Sequence, residues 1–223
     1  MQDSPNTKII GIAIGISLIL IIGVYMAFSR AKKQQGHVVL PGGVTYLGPS
    51  PTTTPKQPDI HFSLLEASII PVPNDATWTT HEGKLFPYTF SYPSPLSLGV
   101  FMNDPYDGVT IFYGNTSAQE NLFFRVDNLT TLKKTEYIGK PMEYAEHWYK
   151  DYTWSSVASV TAFTNTQGLK GYRAKYLDST GKTPYDHVFF AVPGDTNLII
   201  WISGKLFDQP TFEKLVDSVS WKR

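Results

Sequence analysis

From Ile9 to Phe28 the chain runs for 20 residues without a charge, and eight of them are Ile. As a helix such a run is about 30 Å long, which matches the hydrocarbon thickness of a bilayer. Lys8 stands at one end and Arg30, Lys32 and Lys33 at the other, while Tyr25 and Phe28 suit the membrane–water interface. The pattern predicts one transmembrane helix over residues 9–28 after a short N-terminal tail, residues 1–8. A cleaved signal peptide would have an apolar region of about 7–15 residues and a small-x-small exit. Ala27-Phe28-Ser29 fits that exit poorly, so the reading is an uncleaved signal anchor that meets the lipid bilayer through residues 9–28. Within it Gly11, Gly15, Gly23 and Ala27 share one i, i+4 ridge, a spacing that lets two helices approach as a homodimer. The competing explanation is that Gly is common in membrane helices.

Periodicity then lapses. Pro41, Pro49, Pro51, Pro55 and Pro58, with Gly36, Gly42, Gly43 and Gly48, interrupt any helical or alternating pattern, so residues 29–75 read as a Pro/Gly/Thr-rich stalk. Pro-rich chain extends by about 3.1 Å per residue and would hold a domain well away from the bilayer. An apolar patch, Phe62 to Leu65 and Ile69 to Val72, either docks on the following domain or continues the linker.

Residues 76–223 change character, with short alternating or aromatic runs between turn residues. Tyr88 to Tyr92 alternates aromatic with hydroxyl side chains and predicts a strand. Leu98 to Asn103 and Val109 to Tyr113 flank an Asp-Pro-Tyr-Asp-Gly turn and predict a hairpin. Asn121 to Asp127 follows as a strand with Leu122, Phe124 and Val126 on one face. The period then becomes helical: Met142, Ala145, Tyr149 and Tyr152 predict an amphipathic helix opened by Pro141, with Glu146 and Lys150 as an i, i+4 pair. Ser156 to Asn165 and Lys170 to Asp178 predict strands; Tyr172, Ala174 and Tyr176 face a covered side, Arg173 and Lys175 a wet one. His187 to Val192 and Asn197 to Ser203 predict a second hairpin, whose apolar Leu198 to Ile202 suits a strand buried on both faces. Pro210 to Trp221 predicts a closing helix capped by Asp208. The fold class expected is α+β, an antiparallel sheet flanked by helices.

Composition narrows the chemistry. The chain has no Cys, which removes thiol nucleophiles, thiolate metal sites and disulfides. With 19 basic and 19 acidic residues there is no charge excess to attract nucleic acid. His147 and Glu143 stand one turn apart, but two ligands do not make a metal site. Asn103, Asp104, Asp107 and Gly108 lack the ligand spacing of a calcium loop and are explained by turn chemistry. No Gly-x-Ser-x-Gly elbow or phosphate-binding Gly-rich loop is present. Trp148, Tyr149, Trp154 and Tyr185 are either a binding patch or core. Asn115-Thr-Ser117 and Asn128-Leu-Thr130 match the glycosylation pattern. No catalytic, cofactor-binding or metal residue is assigned from the sequence.

Several phrases resemble the PsbP-like family: Tyr88-Thr-Phe-Ser-Tyr-Pro93, Glu120-Asn-Leu-Phe-Phe-Arg-Val126, Gly139-Lys-Pro-Met-Glu-Tyr-Ala-Glu-His147, Gly171-Tyr-Arg-Ala-Lys-Tyr176 and the closing Phe212 to Trp221. Pro95 and Leu96 stand where that family commonly has Trp. The resemblance spans about residues 84–223 and implies an α/β/α sandwich acting as a non-enzymatic interaction or assembly module with a membrane-associated protein partner. An extracytoplasmic hydrolase or small-ligand-binding protein is the alternative. Orientation draws two opposed signals: the basic residues after the span place the domain inside by the positive-inside rule, whereas the stalk resembles spacers of ectodomains. The expectation is a single-pass protein of the cell membrane with an extracytoplasmic domain.

Overall fold

The computed structural model describes residues 38–40, 44–47, 70, 72–101, 103–112 and 117–222, the first two stretches by backbone alone. The anchor expected over 9–28, with its Gly ridge, and most of the stalk lie outside them. No helix among the described residues is long and apolar enough to cross a membrane.

The fold is mixed α/β, with antiparallel sheets and few helices. Twelve strands form among the described residues: β1 Val38–Leu40, β2 Val44–Leu47, β3 Trp78–Glu82, β4 Tyr88–Pro93, β5 Leu98–Phe101, β6 Val109–Ile111, β7 Leu122–Asn128, β8 Ser156–Thr164, β9 Lys170–Leu177, β10 Asp186–Ala191, β11 Leu198–Ser203 and β12 Ser220–Trp221. Helix α1 is Pro141–His147, continued by a 3₁₀ turn over Trp148–Asp151, and α2 is Gln209–Ser218. Nine strands make one sheet in the order β1-β2-β5-β6-β7-β11-β10-β9-β8, and β12-β4-β3 make a second.

The strand alternation separates two cores. Val188 and Phe190 of β10 and Ile200 and Ile202 of β11 face a core shared with Tyr88 and Phe90 of β4 and with Phe212, Leu215 and Val216 of α2. Phe189, Ile199 and Trp201 face the opposite way, onto Tyr144 and Ala145 of α1 and Trp148 beyond it. Every residue of β11 is consequently buried. Burying a Leu, Ile or Phe side chain contributes about 1.5–3 kcal/mol, so two filled faces carry most of the stability.

Several local expectations change. Seven residues read as stalk form β1 and β2, and β2 joins β5. Val38-Val-Leu and Val44-Thr-Tyr-Leu are strand-forming runs either side of Pro41-Gly-Gly43, and Pro density counted over a longer window conceals them. Ile70 is buried, with its N–H donating to the Leu206 carbonyl, so the patch at Ile70 and Val72 docks on the domain. In β7 the register slips between Val109 and Thr110, which pair with Phe124 and Leu122. The extra residue, Phe123, reverses the alternation: Phe123, Phe124 and Val126 face the α2 side and Leu122 faces α1. Helix α1 is only seven residues long and buries Tyr144 and Ala145, with Trp148 following; Met142 and Tyr152 are exposed, against the predicted face. Lys140 rather than Lys150 makes the helix ion pair, with Glu143 at 3.2 Å. Arg173 is half-buried between Asp186 at 2.9 Å and Glu213 of α2 at 2.6 Å, so the sheet is covered there, whereas Lys175 on the same side is exposed.

The end of α2 is tied to the β8–β9 turn by one side chain. Asn165 Nδ2 donates to the Val216 and Val219 carbonyls at 3.1 and 2.8 Å, while its Oδ1 accepts from the Gln167 and Leu169 amides at 3.1 and 2.9 Å. Asn165→Ala is expected to cost about 2–3 kcal/mol, because four backbone groups each lose a hydrogen bond in a buried site. The shift of the urea midpoint measures it. At the other end of α2 the Asp208 carboxylate accepts from the Thr211 amide at 2.8 Å, the expected cap.

Candidate functional site

Arg125 and Asp127 lie two apart on β7, so both project from the same face of the sheet, toward α1. Across the strand pair they oppose Trp201 and Ile199 of β11. Asp127 is fully buried, and its Oδ1 sits 2.7 Å from Arg125 Nε as an ion-pair contact. Tyr144 reaches down from α1 and donates its hydroxyl proton to Asp127 Oδ2 at 2.8 Å. Arg125 Nη2 donates to the Tyr152 hydroxyl at 2.5 Å, and the guanidinium lies 5.0 Å from the Trp201 ring centroid. Burial alone would disfavour both charges. Burial opposes the Arg125 cation most strongly, but Asp127 together with the Tyr152 and Tyr144 hydroxyls outweighs it and holds the guanidinium above its usual pKa. Burial raises the Asp127 carboxyl, against the pull of Arg125 and Tyr144. A guanidinium stays protonated in proteins, so the buried Asp127 carboxyl faces a cation at 2.7 Å.

Arg125 also lines an open groove of about 300 Å³ with Phe101, Asn103, Tyr106, Gln119 and Leu122. Asp104 lines it as well, but its carboxylate is engaged: Oδ1 accepts from the Tyr106 amide at 3.2 Å and Oδ2 from the Gly108 amide at 2.7 Å. Asp107, with φ at +49°, accepts on Oδ2 from the Leu85 and Phe86 amides at 2.8 and 3.2 Å. Asp104 therefore ties down its own turn, as expected, whereas Asp107 holds the loop between β3 and β4 rather than its own turn. Millimolar calcium is expected to leave the thermal midpoint unchanged, and a clear rise in differential scanning fluorimetry would contradict that assignment.

Behind the ion pair, still on the α1 side, His187 of β10 sits among aromatic rings. Trp148, Trp154, Tyr176 and Tyr185 have ring centroids 4.9, 5.4, 4.9 and 5.1 Å from the imidazole. Trp201 Nε1–H donates to His187 Nδ1 at 3.1 Å. An indole N–H only donates, so Nδ1 must be the acceptor and the proton of the neutral ring is on Nε2. Burial pushes this imidazole down to about 3 and the Tyr185 hydroxyl up to about 12. His187 Nε2 and Trp148 Nε1 have no hydrogen-bond partner. The Trp154 ring stands nearly perpendicular to the imidazole, at 89°. Of the aromatic residues weighed as a binding patch, Trp148 is buried and Tyr149, Trp154 and Tyr185 are half-buried around this cluster.

Other sequence candidates separate. His147 Nδ1 is 2.8 Å from the Glu143 backbone carbonyl, not its carboxylate, which pairs with Lys140. Among the described residues no group of three His, Asp or Glu is placed to hold a metal. Asn128 Oδ1 accepts from the Thr131 amide and from Asn197 Nδ2, joining β7 to the turn before β11; Asn115 lies outside the described residues. Large apolar side chains are exposed instead beside α1: Ile138 at 39 %, Met142 at 42 % and Tyr152 at 42 %. Sequence reasoning passed over Arg125, Asp127 and His187. Their signal was a charge pair at i, i+2 and a lone His inside strands otherwise filled with Phe, Val and Ile.

The chain matches no protein-family model, no curated protein and no solved structure.

Proposed function

We propose that this chain is a single-pass membrane-anchored, non-enzymatic interaction or assembly module whose extracytoplasmic domain is a PsbP-like α/β/α sandwich. The observation that carries the reading is the outward side of the α1 layer. Ile138, Met142 and Tyr152 stand exposed there, above a core already filled by Tyr144, Ala145 and Trp148. Exposed apolar side chains above a filled core suit contact with another macromolecule. The apolar run at 9–28 supports the anchor, and the stalk supports a domain presented at a distance from the bilayer. Layers on both faces of an antiparallel sheet are compatible with the PsbP-like resemblance.

The groove beside Arg125 supports the second reading, an extracytoplasmic hydrolase or small-ligand-binding protein. It is open, and the polar groups of Arg125 and Asp104 are engaged within the protein. Proximity labelling from the full chain in its native membrane separates the two. Repeated enrichment of the same membrane-associated proteins, lost in an Ile138→Asp/Met142→Asp variant that remains folded, is expected. Failure to enrich any protein, together with thermal stabilisation of the chain by small molecules, would overturn the proposal.

A further inference from the structure

The nine-stranded sheet ends at β8, which pairs with β9 on one side and with no other described strand. A terminal strand presents a row of unpaired N–H and C=O groups to the next chain, and proteins commonly guard it with Lys, Pro, charges or bulges. β8, Ser156-Val-Ala-Ser-Val-Thr-Ala-Phe-Thr164, contains no charged residue and no Pro. Its one guard is a bulge between Val157 and Ser159, which leaves Ser159 to Thr164 as a regular, continuous edge. Ser159, Thr161, Ala162 and Thr164 are exposed.

Resting on the membrane-tethered reading, we infer that this edge is a self-association surface on which β8 of a second copy pairs antiparallel. A foreign peptide added to a sheet edge is selected through pockets for its alternate side chains. The exposed side chains here are small, and hydroxyl or methyl groups offer no such pockets, whereas the same strand turned through a two-fold axis lies flat against itself. A register centred on Thr161 respects the pleat. Val160 and Ala162 oppose Ala174 and Tyr172 of β9 and so share the α1 face; Ser159, Thr161 and Phe163 oppose Lys175, Arg173 and Gly171 and share the other. Pairing about that centre sets Thr161 against Thr161 and Val160 against Ala162, combinations favoured across antiparallel strands, and brings no like charges together. A two-fold contact also closes, giving a dimer rather than a fibre. Tethering confines copies to one membrane and raises the effective concentration at which a short ladder forms.

Because the chain has no native Cys, single cysteines report the contact cleanly. Full-length variants with one Cys at each position from Ser159 to Thr164, and a Thr183→Cys control, are oxidised in native membranes. A dimer band that peaks at one edge position and falls on either side, above the control, is the expected result. A flat profile or none above the control overturns the inference. Thr161→Lys and Thr161→Glu serve as the second arm, since charges at exposed edge positions are tolerated by the monomer. Crosslinking by an amine-independent, photoactivated probe should fall at least fivefold for either variant alone and return when the two are co-expressed; equal yields in all cases would overturn it. Fractionation of the same samples reads the anchor separately: chain in the soluble fraction sinks the membrane reading, while the crosslink, scored wherever the chain is found, decides the edge.

Discussion

Asp127→Ala is expected to destabilise the domain by about 3–5 kcal/mol, because it strands a buried guanidinium without its counter-ion. Arg125 keeps the Tyr152 hydroxyl and the rings of Trp201, Tyr106 and Tyr152 but no anion, and Tyr144 loses its acceptor. Arg125→Met/Asp127→Leu is expected to recover most of that loss, since removing both charges leaves no uncompensated ion and the core accepts similar volumes. Chemical denaturation of Arg125→Met, Asp127→Leu and the double variant, beside the wild type, forms a double-mutant cycle. A near-zero cost for Asp127→Ala would mean that the pair is solvated and that the network does not hold α1 to β7.

The second large effect is on pH. His187 titrates near its ordinary value of about 6.5 when unfolded but only at about 3 when folded. Between those values the unfolded state binds the additional proton, so stability is retained above pH 6.5 and is lost progressively as pH falls toward 3. For this one residue the slope approaches about 1.4 kcal/mol per pH unit at its steepest. His81 adds to the trend in the same direction, since burial lowers its pKa against Asp107 and Glu82. Asp127, raised by burial, acts oppositely at the acid end. His187→Gln keeps an acceptor for Trp201 Nε1–H but cannot titrate. The difference between the wild-type and His187→Gln stability curves from pH 7 to 4 isolates the contribution. Parallel curves would show that the imidazole is hydrated rather than enclosed by aromatic rings.

Strand positions were legible where alternation or an unbroken apolar run stood clear of Pro and Gly, as at Tyr88 to Tyr92 and Leu198 to Ile202. The capped closing helix was legible because Asp208 and the apolar spacing after it agree, but it ends at Ser218; the backbone becomes extended at Val219, and Ser220–Trp221, expected as its last turn, form β12. What the pattern hid has specific causes. The bulge at Phe123 shifts one residue and so reverses which face Leu122 occupies. Beyond His147 the helix tightens into a 3₁₀ turn, so positions projected at 3.6 residues per turn no longer fall on the buried face and Tyr152 emerges. The Arg125–Asp127 pair was visible as two charges on one strand face. Its partners Tyr144 and Tyr152 come from another layer, which no local pattern reports. The His187 cluster gathers rings from β9, β10, β11 and the α1 segment, and the sequence shows only that aromatic residues are plentiful.

The anchored, outward-facing arrangement is the premise on which the partner reading depends. A cysteine-free chain allows it to be read with an impermeant maleimide on intact cells, using Thr183→Cys on the domain and Asp3→Cys in the N-terminal tail of the full-length protein. The expected result is labelling of Thr183→Cys in intact cells, with Asp3→Cys labelled only after lysis. Labelling of Asp3→Cys in intact cells, with Thr183→Cys protected until lysis, would place the domain in the cytoplasm and contradict the account.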